Sequence, residues 1–149
     1  MDPKLESLFA KFECGSQLYL IGNFYRPPGG DYTDFFEIFS QIINTLVTDY
    51  SSYFIYLGGD LNLDLLKADD NVRVQGYLNL MFSSGFVPLI KRPTRVADSS
   101  ATLIDHLWTN KENCVKSGII LSYTTDHFPV FTKIELSQSK LNFEENYLT

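Results

Sequence analysis

Three short acidic motifs each follow or interrupt an apolar run: Gly58-Gly59-Asp60-Leu61-Asn62, Leu103-Ile104-Asp105-His106 and Thr125-Asp126-His127-Phe128-Pro129. Carboxylates at strand ends hold divalent cations, a His beside an Asp handles protons or phosphate charge, and amides bind phosphate oxygens. Together these groups imply Mg²⁺-dependent phosphodiester hydrolysis. Asp60 and Asn62 lie two residues apart, so on an extended chain they share a side. Asp60 is then placed to orient or deprotonate an attacking water and Asn62 to hold a phosphate oxygen, although Gly, Asp and Asn also make ordinary polar turns. Asp126-His127 suits a scissile phosphate, or else a cap or surface turn. Asp105 sits within an apolar segment, where an unpartnered carboxylate is costly. Its natural partner is His127, oriented as a triad Asp orients its His. His106 falls on the opposite side of that strand and reads as a packed, hydrogen-bonded histidine.

Two further segments carry chemistry. Tyr25 ends a strong apolar run before Arg26-Pro27-Pro28. It is either a phosphate donor on a loop stiffened by the prolines or a surface aromatic before a turn. Arg92-Pro93-Thr94-Arg95 is a short basic loop, fit to touch a nucleic-acid backbone or simply solvated.

The elements that position these residues read as α/β. Glu6 to Phe12 and Leu18 to Tyr25 are expected strands, with Cys14-Gly15-Ser16 as the turn. Asp31 to Tyr50 carries Phe35, Ile38, Phe39, Ile42, Ile43, Leu46 and Val47 at helical spacing, capped by Thr33 or Asp34. Tyr53 to Leu57 is a continuous apolar strand running into Gly58-Gly59-Asp60, the pattern of a central strand. Val72 to Ser84 is a second expected helix, with Leu78, Met81 and Phe82 inward and Gly85 at its end. Phe86 to Ile90, Leu103 to Trp108, Val115 to Leu121 and Pro129 to Leu136 are further strands, and Lys91 to Ser100 is a loop. Ser137 to Thr149 is polar, a tail or the start of a linker. Polar residues gathered at strand ends imply one shared site at one sheet edge.

Composition sets the bounds. The chain has 149 residues, 44% hydrophobic and 20% charged, enough for one domain with a real core. Twelve Phe and nine Tyr must mostly be buried here or against a neighbour. A net charge of −6 counts against a nuclease that works alone, since phosphate contacts come from Lys and Arg. A bound cation would offset part of it. Cys14 and Cys114 form no zinc motif and read as reduced, buried thiols. No signal peptide is recognisable, and no run approaches the roughly 18 apolar residues of a membrane span. The expected setting is intracellular, nuclear if the protein acts on chromosomal DNA, with no membrane partner and no small-molecule cofactor. The sequence carries no signal for oligomeric state.

Taken in order, Tyr25-Arg26-Pro27-Pro28, Gly58-Gly59-Asp60-Leu61-Asn62, Arg92-Pro93-Thr94-Arg95, Thr102-Leu103-Ile104-Asp105-His106 and Thr125-Asp126-His127-Phe128-Pro129 resemble the endonuclease/exonuclease/phosphatase superfamily. The wording looks most like the apurinic-type endonuclease domain of non-LTR retrotransposons. The resemblance covers roughly Leu5 to Leu136. It implies the C-terminal portion of a two-sheet α/β sandwich of the DNase I type, with an incomplete first half. A partial domain is expected over residues 1–136, and residues 137–149 beyond it. The resemblance implies Asp60 as the aspartate that activates water, Asn62 as its neighbouring ligand and Tyr25 as a phosphate contact. It implies His127 on the phosphate, Asp105 orienting that histidine, and Asp126 on the metal side. Arg26, Thr94, Arg95 and Thr102 are expected against the substrate. The implied cofactor is Mg²⁺ or Mn²⁺ and the implied partner DNA, bound weakly. The pattern is entered midway, without the strand-end Asn and metal-binding Glu that precede it in the family, so weak or absent activity is expected. The rival readings are a remnant without catalysis and a phosphoesterase acting on RNA or a lipid head group.

Overall fold

The structure, a computed structural model, describes residues 4–111, 116–122 and 124–136 in full, and the backbone of 115 and 141–144. Cys114 lies outside the described residues, as does most of the segment after Leu136.

The chain opens with a hairpin. β1 (Glu6–Cys14) and β2 (Gln17–Tyr25) pair antiparallel from Cys14↔Gln17 to Glu6↔Tyr25. The turn between them uses Gly15 at φ +66°. α1 (Tyr32–Asp49) follows. Its cap is Asp31 rather than the expected Thr33 or Asp34. The Asp31 carboxylate accepts from the Thr33 and Asp34 amides at 2.7 and 3.1 Å, satisfying two donors that the first turn leaves open. α1 buries Phe35, Phe39, Ile43 and Leu46. Ile38 and Val47 flank that stripe and stay exposed.

β3 (Phe54–Asp60) lies parallel to β2, as a strand-helix-strand crossover requires. α2 (Val72–Ser83) is capped by the Asn71 side chain. It turns Val74, Tyr77 and Met81 into the core, while Phe82, expected inward, is 53% exposed. The expected strand after Gly85 shortens to β4 (Val87–Pro88). The expected loop from Lys91 holds a small hairpin, β5 (Arg95–Ala97) with β6 (Ser100–Thr102). β7 (Asp105–Thr109) pairs antiparallel with β3. β8 (Val115–Ile119) and β9 (Val130–Ile134) form a separate two-stranded sheet. Within the segment expected as a polar tail, β10 (Leu141–Glu144) pairs with the outer edge of β1. The main sheet therefore runs β10-β1-β2-β3-β7-β4.

The two faces of this sheet differ. Leu20, Phe24, Ile55, Leu57 and Trp108 join α1 and α2 in the main core. On the other face Cys14, Tyr19 and Tyr56 form a smaller cluster, against which Ile134 of β9 packs. Further along that face Leu8 and Ile21 stay 58% and 41% exposed.

Two core details set local constraints. Gly59 has φ +134°, and a Cβ there would lie 1.8 Å from the Phe24 carbonyl oxygen. Only glycine lets β3 pass β2 this closely. His106 is 2% exposed. Its Nδ1 meets the Tyr77 hydroxyl at 3.1 Å and its Nε2 the Leu63 carbonyl at 2.9 Å. Burial pushes its pKa down to about 4, against the pull of those carbonyls.

Gly59→Ala should unfold the domain or cost several kcal/mol in urea denaturation, whereas Gly30→Ala, which meets open space, should be near neutral. His106 should make stability fall with acid. The unfolded chain takes up its proton near pH 6.5 and the folded chain only near 4. This contribution is complete above 6.5 and is lost as pH drops through that window, by about 3 kcal/mol in all. Urea midpoints from pH 7 to 4 should show the slope in the wild type and lose His106's share in His106→Gln.

Candidate active site

Register brings the acidic groups together. β3 runs between β2 and β7, with Tyr25↔Asp60 on one side and Asp60↔Asp105 on the other. Tyr25, Asp60 and Asp105 thus form one row across three strands. Directly paired residues point to the same face, so this row sits on the face opposite the helices.

His127 reaches the row from outside the sheet. Its loop is stitched to the small hairpin: the Phe128 amide donates to the Thr94 carbonyl at 2.7 Å, and the Val96 amide to the Asp126 carbonyl at 2.9 Å. This places His127 Nδ1 3.0 and 3.2 Å from the two Asp105 carboxylate oxygens. An ionised carboxylate only accepts, so Nδ1 carries the proton and Nε2 is left for a ligand. Asp60, Asp105 and His127 offer ligand atoms within 4.8 Å of one another.

Thr94, expected against substrate, is 0% exposed. Its hydroxyl accepts from the Asp105 amide at 3.0 Å and the Ile104 amide at 3.2 Å, so it fixes the backbone that carries Asp105. Arg26, also expected against substrate, is 6% exposed. Its guanidinium donates to the Leu61 and Gly30 carbonyls, each at 3.2 Å. In this structure both side chains are engaged by the protein's own backbone. Thr102 is half-buried beside Arg95 in the hairpin register. Tyr25 is 42% exposed at the end of the row.

Asp60 and Asn62 form a local turn. The Asn62 amide donates to Asp60 Oδ1 at 3.0 Å. Asn62 adopts φ +49°, a left-handed conformation Asn tolerates. Its side-chain amide donates to the Arg26 carbonyl at 2.8 Å. That bond holds it to the β2 loop, where a phosphate contact had been expected.

Asp126, expected on the metal side, is ion-paired instead with Arg95, Nε to Oδ2 at 2.6 Å. Both side chains are about half exposed. The arginine holds the Asp126 carboxyl below the usual carboxylate range. Asp60 moves the other way. Burial raises its pKa first, the Asn62 amide opposes, and the facing Asp105 raises it further. Two carboxylates that face each other with one partly neutralising histidine suit a divalent cation.

The sequence missed the binding mode of Arg26 and Thr94. Nothing local marks Thr94, because its partners lie ten and eleven residues away. A groove of about 740 Å³ opens beside the hairpin, lined by Leu89, Ile90, Arg92, Pro93, Ile119 and Phe128. None of the clustered residues lines it; Asp60, Asp105 and His127 are each half-buried.

No protein-family model and no curated relative matches the chain. Solved structures do. The endonuclease domain of TRAS1, a telomere-specific non-LTR retrotransposon, superposes with a TM-score of 0.68 at 12% identity, over 93% of this chain and 72% of that one. An endonuclease/exonuclease/phosphatase family protein from Bacteroides thetaiotaomicron gives 0.58 at 16% identity, over 85% and 54%. The catalytic domain of Xenopus laevis APE2 gives 0.52 at 17% identity, over 91% and 57%. The chain thus has the α/β fold of these proteins and spans just over half the length of the last two.

Replacing Arg95 by Gln should let the Asp126 carboxyl rise toward its ordinary value, followed by carbon NMR across pH 2–6. An unmoved Asp126 titration would mean that the pair does not hold it.

Proposed function

We propose that the chain is a piece of a retrotransposon-type endonuclease domain that hydrolyses DNA phosphodiesters with a divalent cation, turning over weakly by itself. The observation that carries this reading is the single row Tyr25, Asp60, Asp105, with His127 locked onto Asp105.

The roles follow from that geometry. Asp60 and Asp105 would hold Mg²⁺ or Mn²⁺, leaving the other coordination positions to water. The imidazole nearby makes Mn²⁺ at least as suitable as Mg²⁺. When bound, the cation neutralises charge on the phosphate and favours attack by water. Asp60 orients that water and accepts its proton. In its doubly protonated form, with Nδ1 held by Asp105, His127 would donate from Nε2 to a phosphate oxygen where charge develops. Tyr25 donates from the end of the row. Arg95 stands next to the site with Asp126, and a phosphate that draws Arg95 away would free that carboxylate for the cation.

Lys91, Arg92 and Arg95 supply the nearby positive charge. The overall charge of −6 favours a second reading, a domain that folds but does not cleave. A chain with few free cations gains little from counterion release.

Plasmid nicking by the purified chain separates the two. Nicking should require Mg²⁺ or Mn²⁺ and stop with chelator. Asp60→Ala should lower its rate by about 10²–10⁴-fold, and His127→Ala by about 10²–10³-fold. The rate should fall in acid, because protonated Asp60 neither accepts the proton nor holds the cation. A folded wild type that does not nick, or nicking that survives Asp60→Ala, would sink the catalytic reading.

A further inference from the structure

We infer that Arg26 is a positioning residue that sets the place of Asp60, an inference that rests on the catalytic reading above. Arg26 grips three consecutive residues. Its amide donates to the Asp60 carbonyl at 2.9 Å. Its guanidinium donates through Nη1 to the Leu61 carbonyl at 3.2 Å. Its own carbonyl accepts from the Asn62 side chain at 2.8 Å. Nη2 reaches the Gly30 carbonyl at 3.2 Å, joining the loop before α1 to the end of β3.

This arrangement carries a cost. The guanidinium is taken out of water against the Phe35 ring, 5.0 Å from its centroid. Burial lowers its pKa, and its Nε finds no partner among the described residues. A hydrophobic side chain would fill the same space without that penalty. What it could not do is tie a strand end to two loops at fixed angles. The planar fork of arginine can, whereas the three donors of lysine share one nitrogen and set no fixed fork. The chain leaves β3 through Gly59 at φ +134° and Asn62 at φ +49°. Between those two left-handed residues the backbone needs an external tie, and Arg26 provides it. The consequence for chemistry is local. Asn62 must keep its amide on Asp60 Oδ1, and that bond aims the carboxylate along the row.

The test uses the whole chain with Arg26→Met, Arg26→Lys and, as a control matched for lost stability, Ile43→Ala in the α1 core. Two quantities are measured: Mn²⁺ affinity by titration of the metal alone, and amide hydrogen exchange at Leu61 and Asn62 relative to the centre of β3. Loss of a residue that orients a metal ligand weakens binding by roughly tenfold to a hundredfold. That drop is expected in Arg26→Met, with a smaller one in Arg26→Lys. Exchange should quicken at Leu61 and Asn62 but not at the β3 centre. In Ile43→Ala any change should be the same at all these amides. Unchanged exchange at Asn62 in both Arg26 variants, or loosening of β3 in equal measure, would overturn the proposal. If Arg26→Met fails to fold, Arg26→Lys carries the comparison. If the wild type binds no Mn²⁺, the catalytic reading fails, and the exchange pattern still decides what Arg26 does.

Discussion

The close passage of β3 against β2 at Gly59 is the constraint on which the rest of the site depends. With the Phe24 carbonyl where a side chain would begin, β3 is held in one register. That register sets Asp60 between Tyr25 and Asp105. A slip of one residue would turn Asp60 toward the helices and Gly59 toward solvent, because side chains alternate along a strand. The helix face prevents the slip. Ile55 and Leu57 are locked among Phe24, Phe39 and Trp108, so moving them would expose the core.

The two faces of the sheet divide the work. One face buries aromatic rings against two helices. The other carries charge at one end and a small apolar cluster at the other. His106 and Asp105 show the division within a single strand. His106 points into the core, neutral and hydrogen-bonded to Leu63. Its neighbour Asp105 points out and meets His127. Adjacent residues in a strand can thus have opposite functions, one in stability and one in chemistry.

The electrostatics of the site follow from the same layout. Burial raises the cost of ionising Asp60, and the facing Asp105 adds to it. The protein offsets this only in part, with the Asn62 amide and His127. A neighbouring carboxylate, Asp126, is already neutralised by Arg95. The unbalanced negative charge therefore sits at Asp60 and Asp105, where a cation would be most stabilised. The solved structures that share the fold do so at 12–17% identity, so the chemistry rests on these residues rather than on the likeness.

Periodicity and composition by themselves determined the order of the main elements, the central place of β3 and the gathering of acidic residues at strand ends. Those properties follow from local patterns: a helical stripe in α1, a continuous apolar run in β3, glycines where the chain must turn. Asp105 with His127 was legible too, because a carboxylate in an apolar strand needs a partner and the sequence offered few. Arg26, Thr94, Asp126 and Phe82 were decided only by the tertiary structure. An arginine or threonine reads as polar and exposed until the fold puts unpaired backbone groups beside it, as Leu61 and Gly30 lie beside Arg26 and Ile104 and Asp105 beside Thr94. Asp126, expected on the metal side, is paired with Arg95 at 2.6 Å only because the hairpin brings the two together. Chemical type is a local property and can be read along the chain. Which partner satisfies it depends on contacts between residues distant in sequence, and only the folded chain supplies those.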